Sequence, residues 1–430
     1  MPFDRRTFLQ NAGVAAFAAV AIRRLGAAPV PTSLVPALPR FDASHPDAFW
    51  AAVRAQYPLR DDPVYLNCGG LGPTPQPVLN TVFETMTAMQ QHSEPEHPQH
   101  VDPARKTMAR FLGVEPAEIC FVRNTTEGNS IVAAGLRLQA GDEVIFESHA
   151  HPGGSYPWFN QAKQRGIVVR LFEPDHEHAE GNVERIRTLI TPRTKVIQVS
   201  HLTCTTGLAM PVRAIAALAQ AHGIWFHIDG AQSVGMIPVN IDAIGCDSYA
   251  TSGHKWLGGP HETGIFYLRR ARLEEVAVPE IGSYSGDLPF LPGTIALEPS
   301  ATRFEYGTRN LGLIAGLETA VRFQEEIGRE RIAAHGHELV SRLIDGISGV
   351  DGIEILTPRL DAMRGSMATI RHARANPGRL TGYLQKKHRL RCRPVGEQKL
   401  EAVRISFHVF NSAAECDRVI AAVRASARDL

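Results

Sequence analysis

The sequence predicts an α/β fold with two parts: a large domain with a mostly parallel sheet and a smaller α+β carboxyl-terminal domain. Two observations support this prediction. Between about residues 67 and 271, short apolar runs of strand type alternate with helical patterns, which is typical of a parallel sheet covered on both faces. After about residue 308 this alternation stops, and long helical patterns are followed by short strands mixed with helices.

The large domain contains seven apolar runs that predict strands. In chain order they are EICFVRN, DEVIFES, VVRLFE, KVIQVSH, GIWFHID, SYATSG and GIFYLR. Helical patterns such as TTEGNSIVAAGLRL, YPWFNQAKQRG and VRAIAALAQAHG lie between several of them. In such a sheet, ligands bind beyond the carboxyl ends of the strands, so functional residues are expected there.

The remaining segments complete a four-part division. An export signal and linker are predicted over residues 1–33, an arm and helix packing with the small domain over 34–66, the large domain over 67–307 and the small domain over 308–430. In the small domain, LGLIAGLETAVRFQEEIG predicts a long helix that continues into GRERIAAHGHELVSRLIDGI. The other patterns predict strands at GIEILT, SMATIRH and VRISFHVF and helices at GRLTGYLQKKH and AAECDRVIAAVRASA.

The first residues resemble a twin-arginine export signal. Arg5 and Arg6 precede Thr-Phe-Leu, a weakly apolar run and a small-residue stretch. This run is too short to cross a bilayer as a helix. We therefore expect a periplasmic or otherwise exported protein; an amphipathic amino-terminal helix is the alternative. Twin-arginine export carries folded proteins, which favours a cofactor loaded before export.

Composition excludes several classes of function. The 430 residues carry a formal charge of +1 with acids and bases interspersed, so no nucleic-acid partner is expected. No later stretch is apolar enough for a membrane helix. The six cysteines are scattered without a CxxC pair, so neither a metal site nor a disulfide is predicted.

Three strand ends carry residues suited to one cofactor. Thr125 and Thr126 open a helix, where hydroxyls and free N–H groups bind phosphate, although such threonines are often only caps. Asp229 ends a buried strand, and such a carboxylate needs a cationic or hydrogen-bonding partner. Lys255 follows in SGHK and becomes a nucleophile if its surroundings lower its pKa. An aldehyde, a phosphate and a protonated ring nitrogen together describe pyridoxal phosphate.

These residues lie in a segment that resembles the class V aminotransferase family of fold-type I pyridoxal phosphate enzymes. The segment is DGAQSVGMIPVNIDAIGCDSYATSGHKWLGGPHETGIFYL. Further matching stretches are VYLNCGG, VRNTTEGNSIVAAGL, FEYGTRNLGLIAGLETA and VRISFHVFNSAAECDRVIAAV, so the resemblance runs from about residue 63 to 423. The family includes cysteine desulfurases, kynureninase and isopenicillin-N-epimerase-like proteins.

The resemblance implies a role for each matching residue. Lys255 would form the imine with the cofactor and move the substrate α-proton, Asp229 would pair with the ring nitrogen, and Gln232 would donate to the phenolic oxygen. His151 would stack on the ring, with His149 as the competing candidate, and His201 would lie near the phenolic oxygen. The remaining contacts that the resemblance implies are to the phosphate (Thr125, Thr126, Ser252, His254), to the phosphate of a neighbouring subunit in a homodimer (Thr308), and to the substrate carboxylate (Arg404). Asn67 and Arg391 are further candidates for binding substrate, and Arg391 and Arg393 are suited to contact an acidic substrate.

One departure from the family bears on the reaction. Cysteine desulfurases carry their nucleophilic cysteine a few residues after the arginine that matches Arg391. Here LRCRPVGEQ has Gly396 and Glu397 there, and Cys392 comes too early, inside an expected strand. We therefore expect an exported enzyme acting at the amino-bearing carbon of an amino acid or peptide metabolite, by transamination, epimerisation, elimination or oxidation, with siderophore tailoring as an analogy. A non-catalytic binding protein and a cysteine desulfurase are the alternatives, and the loops QQHSEPEHPQHVDP and PEIGSYSGDLPFLPGTIALEPS are expected to set specificity.

Overall fold

The structure is a computed structural model that describes residues 36–93, 97–288 and 290–430. Its strands are β1 (Val64–Tyr65), β2 (Ile119–Val122), β3 (Glu143–Glu147), β4 (Val168–Phe172), β5 (Thr194–Ser200), β6 (Trp225–Asp229), β7 (Ser248–Ser252), β8 (Gly264–Leu268), β9 (Gly286–Asp287), β10 (Ala296–Leu297), β11 (Ile353–Ile355), β12 (Met367–His372), β13 (Leu390–Arg391), β14 (Arg393–Val395) and β15 (Ala402–Ser406). Its helices are α1 (Pro46–Ala55), α2 (Gln76–His92), α3 (His97–Leu112), α4 (Thr125–Gly135), α5 (Pro152–Arg165), α6 (Ala179–Leu189), α7 (Val212–Ala221), α8 (Ile241–Ile244), α9 (Leu311–Ile327), α10 (Arg329–Ile347), α11 (Pro377–His388) and α12 (Ala413–Asp429).

The larger sheet confirms the predicted α/β architecture. It has seven strands in the order β2-β8-β7-β6-β5-β3-β4, and each comes from one of the seven predicted runs. Only β8 runs antiparallel to its neighbours β2 and β7. Every residue of β2, β3, β6, β7 and β8 is buried, as expected where helices cover both faces. The carboxyl ends of β6 and β7 therefore lie side by side.

The smaller sheet is antiparallel, with the order β11-β12-β15-β14. Its core is separate from those of the large sheet, because Leu343 of α10, Leu384 of α11 and Val419 of α12 pack with Ile405 of β15. The division at residues 33, 66 and 307 stays a prediction. Residues 37–430 form one contact unit that contains both sheets.

One segment runs from the small sheet to the large one. Strand β1 pairs in parallel with β13, and Asn67 bridges to Ser406 of β15. Five residues after Asn67, the N–H of Gly72 donates to the carbonyl of His254 at 2.9 Å. A Cβ added to Gly72 would lie 1.8 Å from the carbonyl oxygen of Lys255, so only glycine allows this approach. The segment 67–72 therefore packs directly on the turn that holds Lys255.

Two sequence expectations differ from the structure. The single long helix is two helices, because Gly328 separates α9 from α10 with a φ of 97°, which favours glycine. The segment QQHSEPEHPQHVDP was expected to be a loop, which is wrong, while its expected part in specificity stays a prediction. Helix α2 extends to His92 and α3 begins at His97, so most of the segment is helical. The second expected loop, residues 279–300, is mainly irregular and contains the two-residue strands β9 and β10.

Two further features follow from the described residues. No helix among them has the length and apolarity needed to cross a bilayer. All six cysteines are unpaired. The predicted twin-arginine signal lies outside the described residues.

Candidate active site

Asp229 ends β6 inside a hydrogen-bonded network. Its side chain accepts from Asn129 Nδ2 at 2.8 Å (Oδ2) and from the N–H of Ala231 at 3.0 Å (Oδ1). The Oδ1 of Asn129 in turn lies 2.8 Å from His227 Nε2, and Asn129 and His227 are fully buried. Both carboxylate oxygens therefore accept a hydrogen bond, and each can accept a further one. A buried anion in this position can hold a cationic ring nitrogen.

Lys255 follows β7 in the turn contacted by the segment 67–72. Burial lowers the pKa of its ammonium below the ordinary 10.5, and the carboxylate of Asp229 acts in the opposite direction. The two groups are therefore near enough for their charges to interact. A lysine with a lowered pKa has more free amine at neutral pH, which is the form that attacks an aldehyde.

The first turn of α4 meets the end of β7. The Oγ of Ser252 lies 2.7 Å from Thr125 Oγ1 and accepts from the N–H of Thr125 at 3.1 Å. Thr126 is the second residue of the helix, where backbone N–H groups have no intrahelical acceptor, and its side chain is exposed. Together with the helix dipole, these groups form an anion-binding site of the kind that holds phosphate.

His254 extends this anion site. Its Nδ1 is buried and has no hydrogen-bond partner among the described residues. Burial, and then the ammonium of Lys255, lower its pKa to about 4. An unpartnered buried nitrogen beside two hydroxyls and a helix start fits a phosphate group.

His151 is placed beside the same cluster. It caps α5, with Nδ1 accepting from the N–H of Gly153 at 3.0 Å. Burial and then Lys255 lower its pKa, whereas Asp229 raises it, so its ring lies near both groups. The competitor His149 is engaged elsewhere, at 2.9 Å from Thr205 Oγ1 and 3.1 Å from Glu173 Oε1. The geometry favours His151 as the residue that faces the ring.

Two other predicted cofactor residues are held by protein groups. The Nε2 of Gln232 donates to the carbonyl of Gly69 at 2.9 Å, and its Oε1 accepts from Trp256 Nε1 at 2.8 Å. His201 Nδ1 lies 2.9 Å from the hydroxyl of Tyr249, and burial lowers the histidine pKa to about 4. Contact of Gln232 or His201 with a phenolic oxygen stays a prediction that would use their remaining polar atoms.

Arg404 lies on β15 and reaches across to the large sheet. It is 1% exposed and donates from Nη1 to the carbonyl of Cys204 at 2.7 Å and from Nη2 to Oδ1 of Asn67 at 3.1 Å. A Cβ added to Gly69 would lie 3.1 Å from Arg404 Nη2 and 2.9 Å from Gln232 Oε1, so the guanidinium is close to Gln232. Asn67, predicted to bind substrate, directs its carbonyl oxygen to Arg404 and positions that residue.

Two predicted residues are not joined to this cluster by any described hydrogen bond. Arg391 is exposed, and its guanidinium lies 5.4 Å from the ring centroid of Tyr65. Thr308 lines a cavity of about 220 Å³ with Arg123, Tyr306 and Gly264, the residue that pairs with Ser252 in the sheet. Their contacts with substrate and with a partner subunit's phosphate remain predictions.

Sequence reasoning missed several residues of the site. Asn129 orients Asp229 and lies four residues after Thr125, so both are on one face of α4; that spacing was the available signal. Glu397 forms an ion pair with Arg393, and both influence the pKa of His151. The carbonyl of Cys204 accepts a hydrogen bond from Arg404, and no local sequence pattern identifies Cys204 as a site residue.

Comparison with known proteins identifies the family. The family model for Aminotransferase class-V matches residues 64–419, more than three quarters of the chain. The chain belongs to the class V aminotransferase family. Isopenicillin N epimerase of Streptomyces clavuligerus is 29% identical over 88% of this chain and 98% of its own. A protein of Methanothermobacter thermautotrophicus named "Probable cysteine desulfurase" is 31% identical over 70% of this chain and 76% of its own. The solved apo structure of the Thermococcus onnurineus cysteine desulfurase has a TM-score of 0.78 at 26% identity, covering 88% of this chain and 98% of that one.

Membership of the class V aminotransferase family confirms the fold-type I architecture and the cofactor, pyridoxal 5′-phosphate. The described residues fit that cofactor. The helix start with Ser252 and His254 would hold the phosphate, Asp229 the ring nitrogen and Lys255 the aldehyde carbon. When bound, the cofactor withdraws electrons from the amino-bearing carbon of a substrate, and this makes a proton on that carbon removable.

Proposed function

We propose that this class V aminotransferase family member removes and returns the α-proton of an amino acid or of an amino acid within a larger metabolite. The observation that carries the proposal is the single cluster of Lys255, Asp229 and Arg404. The pKa values of Lys255 and Arg404 are both lowered by burial, and Arg404 also lowers that of Lys255. A base, an anion for the cofactor ring and a cation for the substrate therefore share one site.

Each side chain has a distinct part in this chemistry. Arg404 binds the substrate α-carboxylate, because a buried guanidinium with unused donors gains most from an anion. Lys255 accepts the α-proton as a free amine and can return it to either face or to another atom. Asp229, held by Asn129, would keep the ring nitrogen protonated. His151 would cover the ring. The same set serves epimerisation, transamination or elimination, so the outcome depends on how the substrate is held.

Cysteine desulfurase activity is the second candidate, because relatives carry that name. Cys392 argues against it. The thiol lies between β13 and β14, packs against the core of the small domain, and its pKa is raised to about 12 by burial. A nucleophilic cysteine needs a low pKa and access to substrate. Cys204 is nearer to Arg404, but burial raises its thiol pKa as well.

The proposal extends to the setting of the enzyme. Arg5 and Arg6 support export through the twin-arginine pathway, and export supports a secreted peptide metabolite, for example a siderophore, as the substrate. A homodimer is proposed, in which Thr308, from the wall of a cavity in its own chain, would contact a partner's phosphate.

The test is α-proton exchange. The pyridoxal-phosphate-loaded protein is incubated with amino acids and short peptides in D₂O, and loss of the α-proton signal is followed by NMR. We expect exchange with wild type and with the exposed-lysine control K195A, and none with K255A. Equal exchange in K255A would overturn the role of Lys255. Absence of exchange in the loaded wild type with every compound would favour a binding protein.

The desulfurase alternative has its own measurement. Sulfide release from cysteine is followed for wild type, C392A and C204A. We expect no release above the free cofactor in any of the three proteins. Release by wild type that is lost in C392A or C204A would assign the nucleophile and reject the proposed reaction.

A further inference from the structure

Arg393 stands directly opposite Arg404 in the small sheet. Strands β14 and β15 are antiparallel, and their register pairs Arg393 with Arg404. Side chains of directly opposed residues project from the same face and are near neighbours. The pKa of Arg404 agrees with this proximity: burial lowers it most, and the charge of Arg393 lowers it further. Arg393 also contributes to the lowered pKa values of Lys255 and His151.

The two guanidinium groups differ in their partners. Among the described residues, Arg404 donates hydrogen bonds only to neutral oxygens, those of Cys204 and Asn67. Arg393 forms an ion pair from Nη2 with Glu397, four residues later. Burial raises the pKa of Glu397, but the hydrogen bond and charge of Arg393 outweigh it and keep that pKa below its ordinary value. Within the described part of the chain, Glu397 is therefore the one carboxylate that interacts with both guanidinium groups.

Both guanidinium groups also have unused donors. Nη1 of Arg393 and Nε of Arg404 are buried, and neither has a hydrogen-bond partner within the described part of the chain. Unpaired buried donors are costly, and unpaired cationic donors more so. The described residues thus supply too little negative charge and too few acceptor oxygens for these donors. Glu397 fixes the Arg393 side chain but leaves its Nη1 free.

We propose that the site selects free α-amino acids that carry a second, side-chain carboxylate. Arg404 binds the α-carboxylate and Arg393 binds the second carboxylate through Nη1, while Glu397 holds Arg393 in place. This proposal rests on the proposed function, because it assigns the substrate class of the same site. Arg393 is a specificity-determining residue in it and takes no part in moving the α-proton.

The experiment measures binding without turnover. α-Methyl amino acids have no α-proton, so their affinity for the loaded enzyme is determined by calorimetry. α-Methylglutamate and α-methylaspartate are compared with α-methylnorvaline, which has no side-chain carboxylate. We expect wild type to prefer the dicarboxylic compounds by about 10- to 100-fold, the range expected of a charged hydrogen bond. Absence of this preference would overturn the proposal.

Variants separate selectivity from general positioning. R393Q should lose the preference while its affinity for α-methylnorvaline stays within about twofold, and R404Q should weaken all three compounds. R393K keeps the charge but not the fork of donors and should retain part of the preference. R371Q is the matched control, since Arg371 pairs with Glu354 at the surface of the same sheet at 2.7 Å.

Three outcomes decide the matter. Equal weakening of all compounds in R393Q would show that Arg393 only positions Arg404, and this would reject the proposal; R393K, checked for folding by circular dichroism, would repeat the test if R393Q is unfolded. α-Proton exchange without dicarboxylate preference rejects this proposal and leaves the proposed function. Binding of no compound, together with no exchange, rejects both.

Discussion

The two ends of the active site are built differently. At the cofactor end, the partners come from helix α4 and from strands β6 and β7 of the large sheet. Short hydrogen bonds join Asp229 with Asn129 and His227 and, separately, Thr125 with Ser252. At the substrate end, Arg404 and Arg393 come from the small sheet and retain unpaired donors. In the proposed function, the cofactor, which the whole family shares, binds to groups already held in place by hydrogen bonds. The substrate, which varies, binds to guanidinium groups whose donors are still unpaired. Polar groups that are fixed in position before the reaction stabilise the charge of a transition state most strongly.

The comparison predicts its largest effect at Asp229. D229N preserves the shape of the side chain but removes the charge that, in the proposed function, keeps the ring nitrogen protonated. We expect the α-proton exchange rate at saturating substrate to fall by about 10²- to 10³-fold, the usual cost of losing one preorganised electrostatic group. Exchange followed by NMR checks this.

The control for this change is D351N, because the carboxylate of Asp351 is at the surface, 3.5 Å from Arg374. It should exchange at the wild-type rate. A D229N enzyme that keeps more than a third of that rate would show that the buried carboxylate is structural.

At the other end, R404Q should act on binding more than on the chemical step. Truncating a buried charged group that binds an anion costs about 2–5 kcal/mol, so Kd for every amino acid should rise by at least about 30-fold. The exchange rate at saturation should fall much less. Calorimetry and NMR exchange measure the two quantities separately. If the rate falls while Kd is unchanged, Arg404 belongs functionally to the cofactor end.

Unlike the hydrogen-bonded groups of the cofactor end, Glu147 has an oxygen without a partner among the described residues. It predicts an effect of pH on stability. It ends β3, its Oε1 accepts from the N–H of Ser200 at 3.0 Å, and its buried Oε2 has no partner among the described residues. Burial raises its pKa from 4.5 to about 7. Between these two values the unfolded chain is ionised and the native chain is protonated. Stability should therefore fall as pH rises through this window, by up to about 1.4 kcal/mol per pH unit from this group.

E147Q removes this titration. Urea unfolding at pH 5 and pH 7.5 should show a smaller loss of stability for E147Q than for wild type over the same interval. E84Q, a change at an exposed glutamate of α2, should behave as wild type does. Parallel pH dependence in E147Q and wild type would mean that Glu147 is ionised throughout.

The sequence was informative for one end of the site and much less so for the other. Alternation of strands and helices predicted all seven strands of the large sheet, and strand-end geometry then brought Asp229, Ser252 and Lys255 together. The Arg393–Arg404 pairing depends on antiparallel register between short strands, which no local pattern specifies. The placement of Asn67 against Arg404 depends on a contact between residues 337 positions apart. Local signals identify strand ends, but long-range packing decides which side chains meet there.

The smallest effect is expected at Ser252, where two neutral hydrogen bonds to Thr125 support the phosphate site. S252A should weaken pyridoxal phosphate binding about fivefold, since a neutral hydrogen bond contributes about 1 kcal/mol, and should leave the exchange rate of the saturated enzyme near wild type. Fluorescence titration of the apoprotein measures this affinity, with the exposed S44A as control. A loss as large as that of D229N in exchange rate would contradict the division between holding the phosphate and activating the ring. In the proposed function Ser252 would hold the phosphate and take no part in moving the α-proton, so its contacts would add affinity equally before and during proton transfer.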